Sequence, residues 1–312
     1  MDVRFWGTRG SMAKPGPTTL RYGGNTSCVE VRGDDGTLIV LDCGTGAHGL
    51  GQALTSSGGP RCDGHLLITH THWDHIQGFP FFAPLFVPGN TWDIYAPGAI
   101  GQQLERTLAG QMEYNYFPVT LAQLGATIRF HNLAEGHFAV GGVQVTTQYL
   151  NHPALALGYR LQSGGKVVVY SADHEPHAPN PAARSAGEPA KHGEDQRHVE
   201  FLADADLVIH DAQYTVEEYP QKAGWGHTPA EWAVDYAVAA RVKRLALFHH
   251  DPLRDDRALE RLVETCRRRA GAAGSALQVF AAAEGQEIRL LEGDATAPAA
   301  ARLPEPVLNA GP

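Results

Sequence analysis

A chain of 312 residues accommodates one large domain or two small ones, and 43% hydrophobic residues with 35 glycines allow a sizeable core interrupted by many turns. The formal net charge of −9 argues against a long polyanion as the main partner, because nucleic-acid binding generally needs a basic footprint. No apolar run reaches the roughly 18 residues of a membrane-crossing helix.

The opening Met1-Asp2-Val3-Arg4-Phe5-Trp6 has neither the basic start nor the apolar stretch of a signal peptide. Cys28, Cys43, Cys62 and Cys266 are scattered with no Cys-x-x-Cys pair, which fits free thiols in a reducing cytoplasm. Short β-type runs separated by glycine-rich turns occupy residues 3–6, 27–31, 37–41 and 66–68, with a short helix at 47–54. Residues 81–118 read as an insert containing a helix at 100–112. Its aromatic cluster, Tyr114-Asn115-Tyr116-Phe117, is read as core or dimer interface, with base stacking the lesser alternative.

A second β-rich stretch follows at 127–130, 143–149, 158–161 and 167–170. Then come a strand at 207–209, a helix at 229–242, a strand at 244–248, a helix at 255–269, and strands at 277–281 and 287–291. This order predicts two similar halves, each a sheet covered by helices on one face. Residues 174–198, rich in Pro, Ala, Gly and charge, are aperiodic and read as disordered or as a cover over a site. One domain over 1–292 and a disordered tail over 293–312 complete the division.

The chemistry concentrates in Thr69-His70-Thr71-His72-Trp73-Asp74-His75, directly after Leu66-Leu67-Ile68. Strand alternation points His70 and His72 the same way, and a following helical turn sets Asp74 and His75 across the same hole. A lone histidine among the 16 present is ordinarily a surface or satisfied core residue. Four ligand-type side chains bunched behind an apolar strand are costly to bury without a partner. Two facing ligand sets predict two metal ions, a pair able to share a hydroxide and neutralise charge on an attacked phosphate or carbonyl. Further ligand-type residues follow later strands: His152, Asp173 and His249. Strand ends gather functional groups because the strand fixes position and the loop leaves access.

Together these residues resemble the metallo-β-lactamase superfamily over roughly residues 1–292. The resemblance implies a four-layer αββα sandwich of two mixed sheets with helices on the outer faces. It further implies one metal held by His70, His72 and His152, a second by Asp74, His75 and His249, with Asp173 bridging and a metal-bridging hydroxide as nucleophile. The cations would be zinc, with manganese or iron as alternatives. Phe5-Trp6-Gly7-Thr8-Arg9-Gly10-Ser11, Gly24-Asn25-Thr26-Ser27-Cys28, Leu41-Asp42-Cys43-Gly44-Thr45-Gly46 and Gly226-His227-Thr228-Pro229 look closest to the ribonuclease Z and cyclic-phosphodiesterase branch. Diiron redox members typically carry Glu at the position of His72, which disfavours a redox role.

His227, in a Gly-flanked turn before a helix, is suited to protonate a leaving oxygen, as matching residues in the branch do. Asp211 is expected to orient it. Asp74, His227 and Asp211 are thus the catalytic candidates, Asp74 doubling as a ligand. Asp42 is expected to hydrogen-bond a ligand histidine rather than bind metal. Of the adjacent pair His249 and His250 only one can face the cavity, and the resemblance selects His249. His174 and His177 are expected to touch substrate or solvent, and Arg160 to be a plain strand residue.

Transfer-RNA-processing members carry a basic arm between the matches to His152 and Asp173, which here lie only 21 positions apart (173 − 152). The expectation is therefore a cytoplasmic, homodimeric phosphodiesterase on a small cyclic phosphodiester such as a cyclic mononucleotide, without a membrane or a stable nucleic-acid partner. The alternatives are a carboxylic ester, lactone or thioester hydrolase, a nuclease on single-stranded nucleic acid, and a non-enzymatic sensor.

Overall fold

The computed structural model describes residues 1–56, 61–98, 103–177 and 193–291. Fourteen strands among them form two seven-stranded sheets. In the first sheet, β1 (Asp2–Gly7), β2 (Cys28–Arg32), β3 (Leu38–Leu41), β4 (Gly64–Leu67), β5 (Thr91–Pro97) and β6 (Thr127–Leu133) lie in chain order, and β14 (Glu287–Arg289) returns to the open edge of β1. The second sheet orders β7 (Gly136–Val140), β8 (Val143–Leu150), β9 (Ala156–Ser163), β10 (Lys166–Ser171), β11 (Leu207–Asp211), β12 (Arg244–Phe248) and β13 (Gln278–Ala281). In each sheet the first pairings are antiparallel, and the run from β3 to β6 or from β10 to β13 is parallel. The expected two-fold repetition of a β-rich half is present.

Alternation along the strands builds the layers. In β11 and β12, Ile209, Ala246 and Phe248 face the other sheet, joining Tyr159 and Tyr170 of their own sheet against Phe5, Val29, Ile39 and Leu41. Their neighbours Val208, Leu245 and Leu247 face outward, beneath α4 (Gly193–Leu202), α5 (Ala230–Ala239) and α6 (Asp256–Ala272). On the far side, α1 (Ala47–Ser56) and α3 (Gln103–Gln111) cover Val40, Leu66, Ile94 and Trp92. Three apolar interfaces between four layers give the αββα sandwich. The single-turn helix α2 (Trp73–Ile76) lies at the ends of the strands. No helix among the described residues is long and apolar enough to cross a membrane.

Two strands correct the sequence reading. β5 is not part of an insert but pairs parallel with both β4 and β6. The acidic Asp93 interrupts its apolar pattern, and the fold accommodates it with Arg129 at 2.6 Å and His131 at 2.7 Å. β7, an edge strand beside β8, lacks an apolar run because one side of it faces solvent. The segment read as aperiodic over 174–198 ends in α4, whose last turn is tied to β9 by the Arg160 guanidinium, a donor to the carbonyls of Phe201 and Ala203. Arg160 is thus more than a strand residue. Residues 178–192 and the tail expected over 293–312 lie outside the described residues. Tyr114 and Tyr116 are exposed, whereas Phe117 packs edge-on to Phe81 at 5.2 Å. The stretch from His152 to Asp173 is the β9–β10 hairpin, turned at Gly164-Gly165, with no arm inserted.

Candidate metal centre

Strand ends from both sheets converge on one carboxylate, Asp173. One of its oxygens, Oδ1, lies 3.2 Å from His75 Nε2 and 3.1 Å from His249 Nε2. The other, Oδ2, lies 3.5 Å from His70 Nε2 and 3.7 Å from His152 Nε2. Asp74 Oδ2 closes the first set, 2.9 Å from His249 Nε2 and 3.2 Å from His75 Nε2. His72 closes the second, with Nδ1 at 3.2 Å from His152 Nε2. Bonds of 2.0–2.1 Å in tetrahedral coordination separate ligand atoms by about 3.3 Å. The two sets, each with ligand atoms mutually within 4.8 Å, therefore have the spacing a cation needs. His70 Nε2, His75 Nε2 and Asp173 Oδ1 are buried and have no hydrogen-bond partner, so the chemistry of the donors fits two cations.

The backbone at this site is strained. Ser11, Asp42, Asp173 and His249 all have positive φ, between 55° and 62°, and account for four of the six such non-glycine residues among those described. Left-handed backbone costs roughly 1–2 kcal/mol per residue, and such strain gathers where a fold over-determines a site.

Some of the ligand imidazoles are aimed by their other nitrogen. His75 Nδ1 meets Asp42 Oδ2 at 2.7 Å, and Asp42 also accepts from the Thr69 amide (2.7 Å) and the Tyr170 hydroxyl (2.8 Å). Asp42 is therefore the orienting carboxylate expected from the sequence. His152 Nδ1 donates to the Gly226 carbonyl at 3.1 Å. His249 is backed by Gly10, where a Cβ would fall 2.3 Å from its Nδ1. The Ser11 amide donates to Asp74 Oδ2 at 2.7 Å. His250 turns away, with Nε2 at 2.9 Å from the Ala282 carbonyl.

Electrostatics follow from burial and this crowding. Burial works against charge on His75, but Asp173, Asp74 and Asp42 outweigh it and hold its pKa well above the ordinary value. Burial, then the neighbouring His75, push His70 well below. Asp173 and Asp74 resist protonation despite burial because imidazoles surround them. At the rim, His227 Nδ1 meets Asp211 Oδ2 at 2.8 Å, and its ring stacks on His249 at 5.0 Å. Burial opposes its charge, yet Asp211 above all raises its pKa to about 9.

A second group, His174, His177 and Asp195, also has ligand atoms within 4.8 Å. Here the Asn151 amide donates to His174 Nδ1 at 3.3 Å, leaving the neutral ring's proton on Nε2, which removes it as a cation ligand. His174 is buried and stacked on His198 at 3.8 Å, so the expectation of substrate or solvent contact fails for it. Sequence reasoning missed Glu175, Ser11 and Gly10 as supports of the site. Gly10 and Ser11 lay within the resembling stretch Phe5-Trp6-Gly7-Thr8-Arg9-Gly10-Ser11, with no role assigned to either.

A family model described as a beta-lactamase superfamily domain matches residues 37–250. Ribonuclease Z from Haloarcula marismortui is 26% identical over 290 residues, covering 80% of this chain and 86% of that protein. Among solved structures, the metallo-beta-lactamase fold protein YhfI from Bacillus subtilis superposes with a TM-score of 0.63 at 18% identity, covering 92% of this chain and 98% of that one. The short form of human tRNase Z gives 0.62 at 21% identity, covering 93% and 98%. The chain belongs to the beta-lactamase superfamily.

Proposed function

We propose that this metal-dependent hydrolase cleaves a small cyclic phosphodiester, of which a cyclic mononucleotide is the representative. The observation that carries the reading is the pairing of two three-residue ligand sets across Asp173 with a carboxylate-held imidazole at their rim. His70, His72 and His152 would hold one divalent cation, zinc foremost, and Asp74, His75 and His249 the other, with Asp173 shared. When bound, such a pair supplies positive charge to the non-bridging phosphate oxygens and a water made acidic near neutrality.

The chain's own residues then have defined tasks. Asp42 and the Gly226 carbonyl hold His75 and His152 with Nε2 facing the cluster. His227 keeps one proton on Nδ1, donated to Asp211, so its Nε2 proton is the one available to the departing oxygen. Neutralisation of Asp173 and Asp74 at a loaded site leaves Asp211 as the carboxylate that sustains the imidazolium.

The ribonuclease Z relatives act on RNA by name. The charge of −9 and the tight β9–β10 hairpin favour a small substrate for this chain. A homodimer and a cytoplasmic setting belong to the same reading. Metal-loaded protein should hydrolyse 2′,3′- or 3′,5′-cyclic nucleotides or bis(p-nitrophenyl) phosphate faster than lactone, thioester or carboxylic ester substrates in parallel assays. Turnover confined to the esters, or to single-stranded RNA with a steep salt dependence, would overturn it.

A further inference from the structure

Glu175 stands two residues beyond Asp173, 7% exposed, and both of its carboxylate oxygens engage one loop. Oε1 accepts from the Gly224 amide at 2.7 Å and from the Tyr219 hydroxyl at 2.6 Å. Oε2 accepts from the Gly226 amide at 2.7 Å. Hydrogen bonds to an ionised acceptor are the short, strong ones. Gly224 and Gly226 sit at φ +85° and +88°, so the chain wraps around the carboxylate in a shape that side chains resist.

What that loop carries gives the clamp its meaning. The Gly226 carbonyl takes the Nδ1 proton of His152, which fixes the tautomer that leaves Nε2 facing His72 and Asp173. A Cβ on Gly226 would fall 2.1 Å from that same nitrogen, so the loop and the ring are in close register. The next residue is His227. The backbone of Glu175 is fastened in turn to Asn151, the residue before His152. Its amide donates to the Asn151 carbonyl at 2.8 Å, and Asn151 Nδ2 donates to its carbonyl at 2.9 Å. Asp173, His174 and Glu175 thus serve the site in succession: a shared carboxylate, an amide donor to Asp211 at 3.3 Å, and a clamp.

We infer that Glu175 is a positioning residue for the reaction, setting His152 and His227 together through the 224–227 loop. The inference rests on the phosphodiesterase reading of the same site. Gln at this position keeps one acceptor but turns an NH₂ toward an amide N–H, so one of the two backbone bonds is lost. Ala leaves the Gly224 amide, the buried Gly226 amide and the Tyr219 hydroxyl without this partner.

The test uses the full-length, metal-loaded protein with Glu175→Gln, and Glu175→Ala where it folds. An alkyl phosphodiester or cyclic nucleotide requires protonation of its leaving oxygen, whereas bis(p-nitrophenyl) phosphate scarcely does. For Glu175→Gln, kcat on the first should fall roughly a hundredfold, the scale of a misplaced general acid, with KM little changed. On the nitrophenyl ester it should fall only a few-fold. Equal losses on both substrates at unchanged metal content, or none, overturn the inference and leave Glu175 a structural residue, whereas equal losses with metal missing from the position held by His70, His72 and His152 uphold it through His152. Should the wild type cleave neither phosphodiester, the functional reading fails, yet the inference is still decided by imidazole ¹⁵N shifts. Loss of the Nδ1-protonated form of His152 in Glu175→Gln upholds the clamp, and unchanged shifts refute it.

Discussion

His227 Nδ1 lies 2.8 Å from the Asp211 carboxylate, which comes from the end of a parallel strand in the second sheet. The contact fixes the orientation of the ring and the charge it carries at neutral pH. Removing His227 should leave metal content intact and slow turnover by roughly a hundredfold or more on substrates with poor leaving groups. The acid must be protonated to act, so activity is lost as pH rises through its folded pKa. Asp211→Asn removes the main cause of the upward shift to about 9 and should move that alkaline limb to lower pH. A pH–kcat profile that does not move in Asp211→Asn would dismiss Asp211 as the partner.

Asp173 is the only side chain common to both ligand sets, so its charge matters to both positions at once. Asp173→Asn preserves a residue that tolerates the left-handed backbone at φ 55° and removes only the charge. It should lose metal from both positions and activity together, with an affinity loss beyond the roughly 10–100-fold typical of outer-shell partners. Asp42→Asn, acting through His75, should fall within that range. Metal titration followed by elemental analysis separates the two variants. Retention of a full metal complement by Asp173→Asn would contradict a shared carboxylate.

The site was more legible in the sequence than its supports were. His70, His72, Asp74 and His75 share one turn after a strand, and spacing alone brings them together. His152, Asp173 and His249 follow apolar runs that announce their strands, so their convergence required only that the sheets stack. Glu175 had no such signal, because its partners are backbone amides of glycines that lie 49 and 51 residues away in the chain. The strand around Asp93 was hidden for a related reason. Its interior charge is neutralised by Arg129 and His131 on the adjacent strand, which a local pattern does not reveal.

His250 gives a stability prediction separate from catalysis. Burial above all pulls its pKa down to about 3, opposed by the hydrogen bond to the Ala282 carbonyl and then assisted by the nearby Arg9 and Arg254. A folded pKa below the unfolded one means that the unfolded chain binds the extra proton. The stabilisation is fully present above about pH 6.5 and declines as pH falls from there toward the folded value. Between pH 7.5 and 5 the wild type should lose on the order of 1–2 kcal/mol that His250→Gln does not lose. Urea unfolding of both proteins at the two pH values measures the difference, and parallel losses would show that His250 does not titrate in this way.

Gly10 bears on the cluster from behind. A Cβ there would fall 2.3 Å from His249 Nδ1 and 2.8 Å from Cγ of the same ring. The backbone cannot retreat easily, because the Gly10 amide donates to the His250 carbonyl at 3.0 Å and the His250 amide donates to the Thr8 carbonyl at 3.0 Å. Relief must then come from the imidazole, which moves away from Asp74 and Asp173. Gly10→Ala should therefore weaken the cation held by Asp74, His75 and His249 by at least about tenfold. The position held by His70, His72 and His152 should be nearly unaffected. A two-step metal titration resolves the cases: one step weakened is the expected result, and both steps weakened equally would point to a general disturbance of the fold. Two unchanged steps would mean that the loop yields and the ring does not.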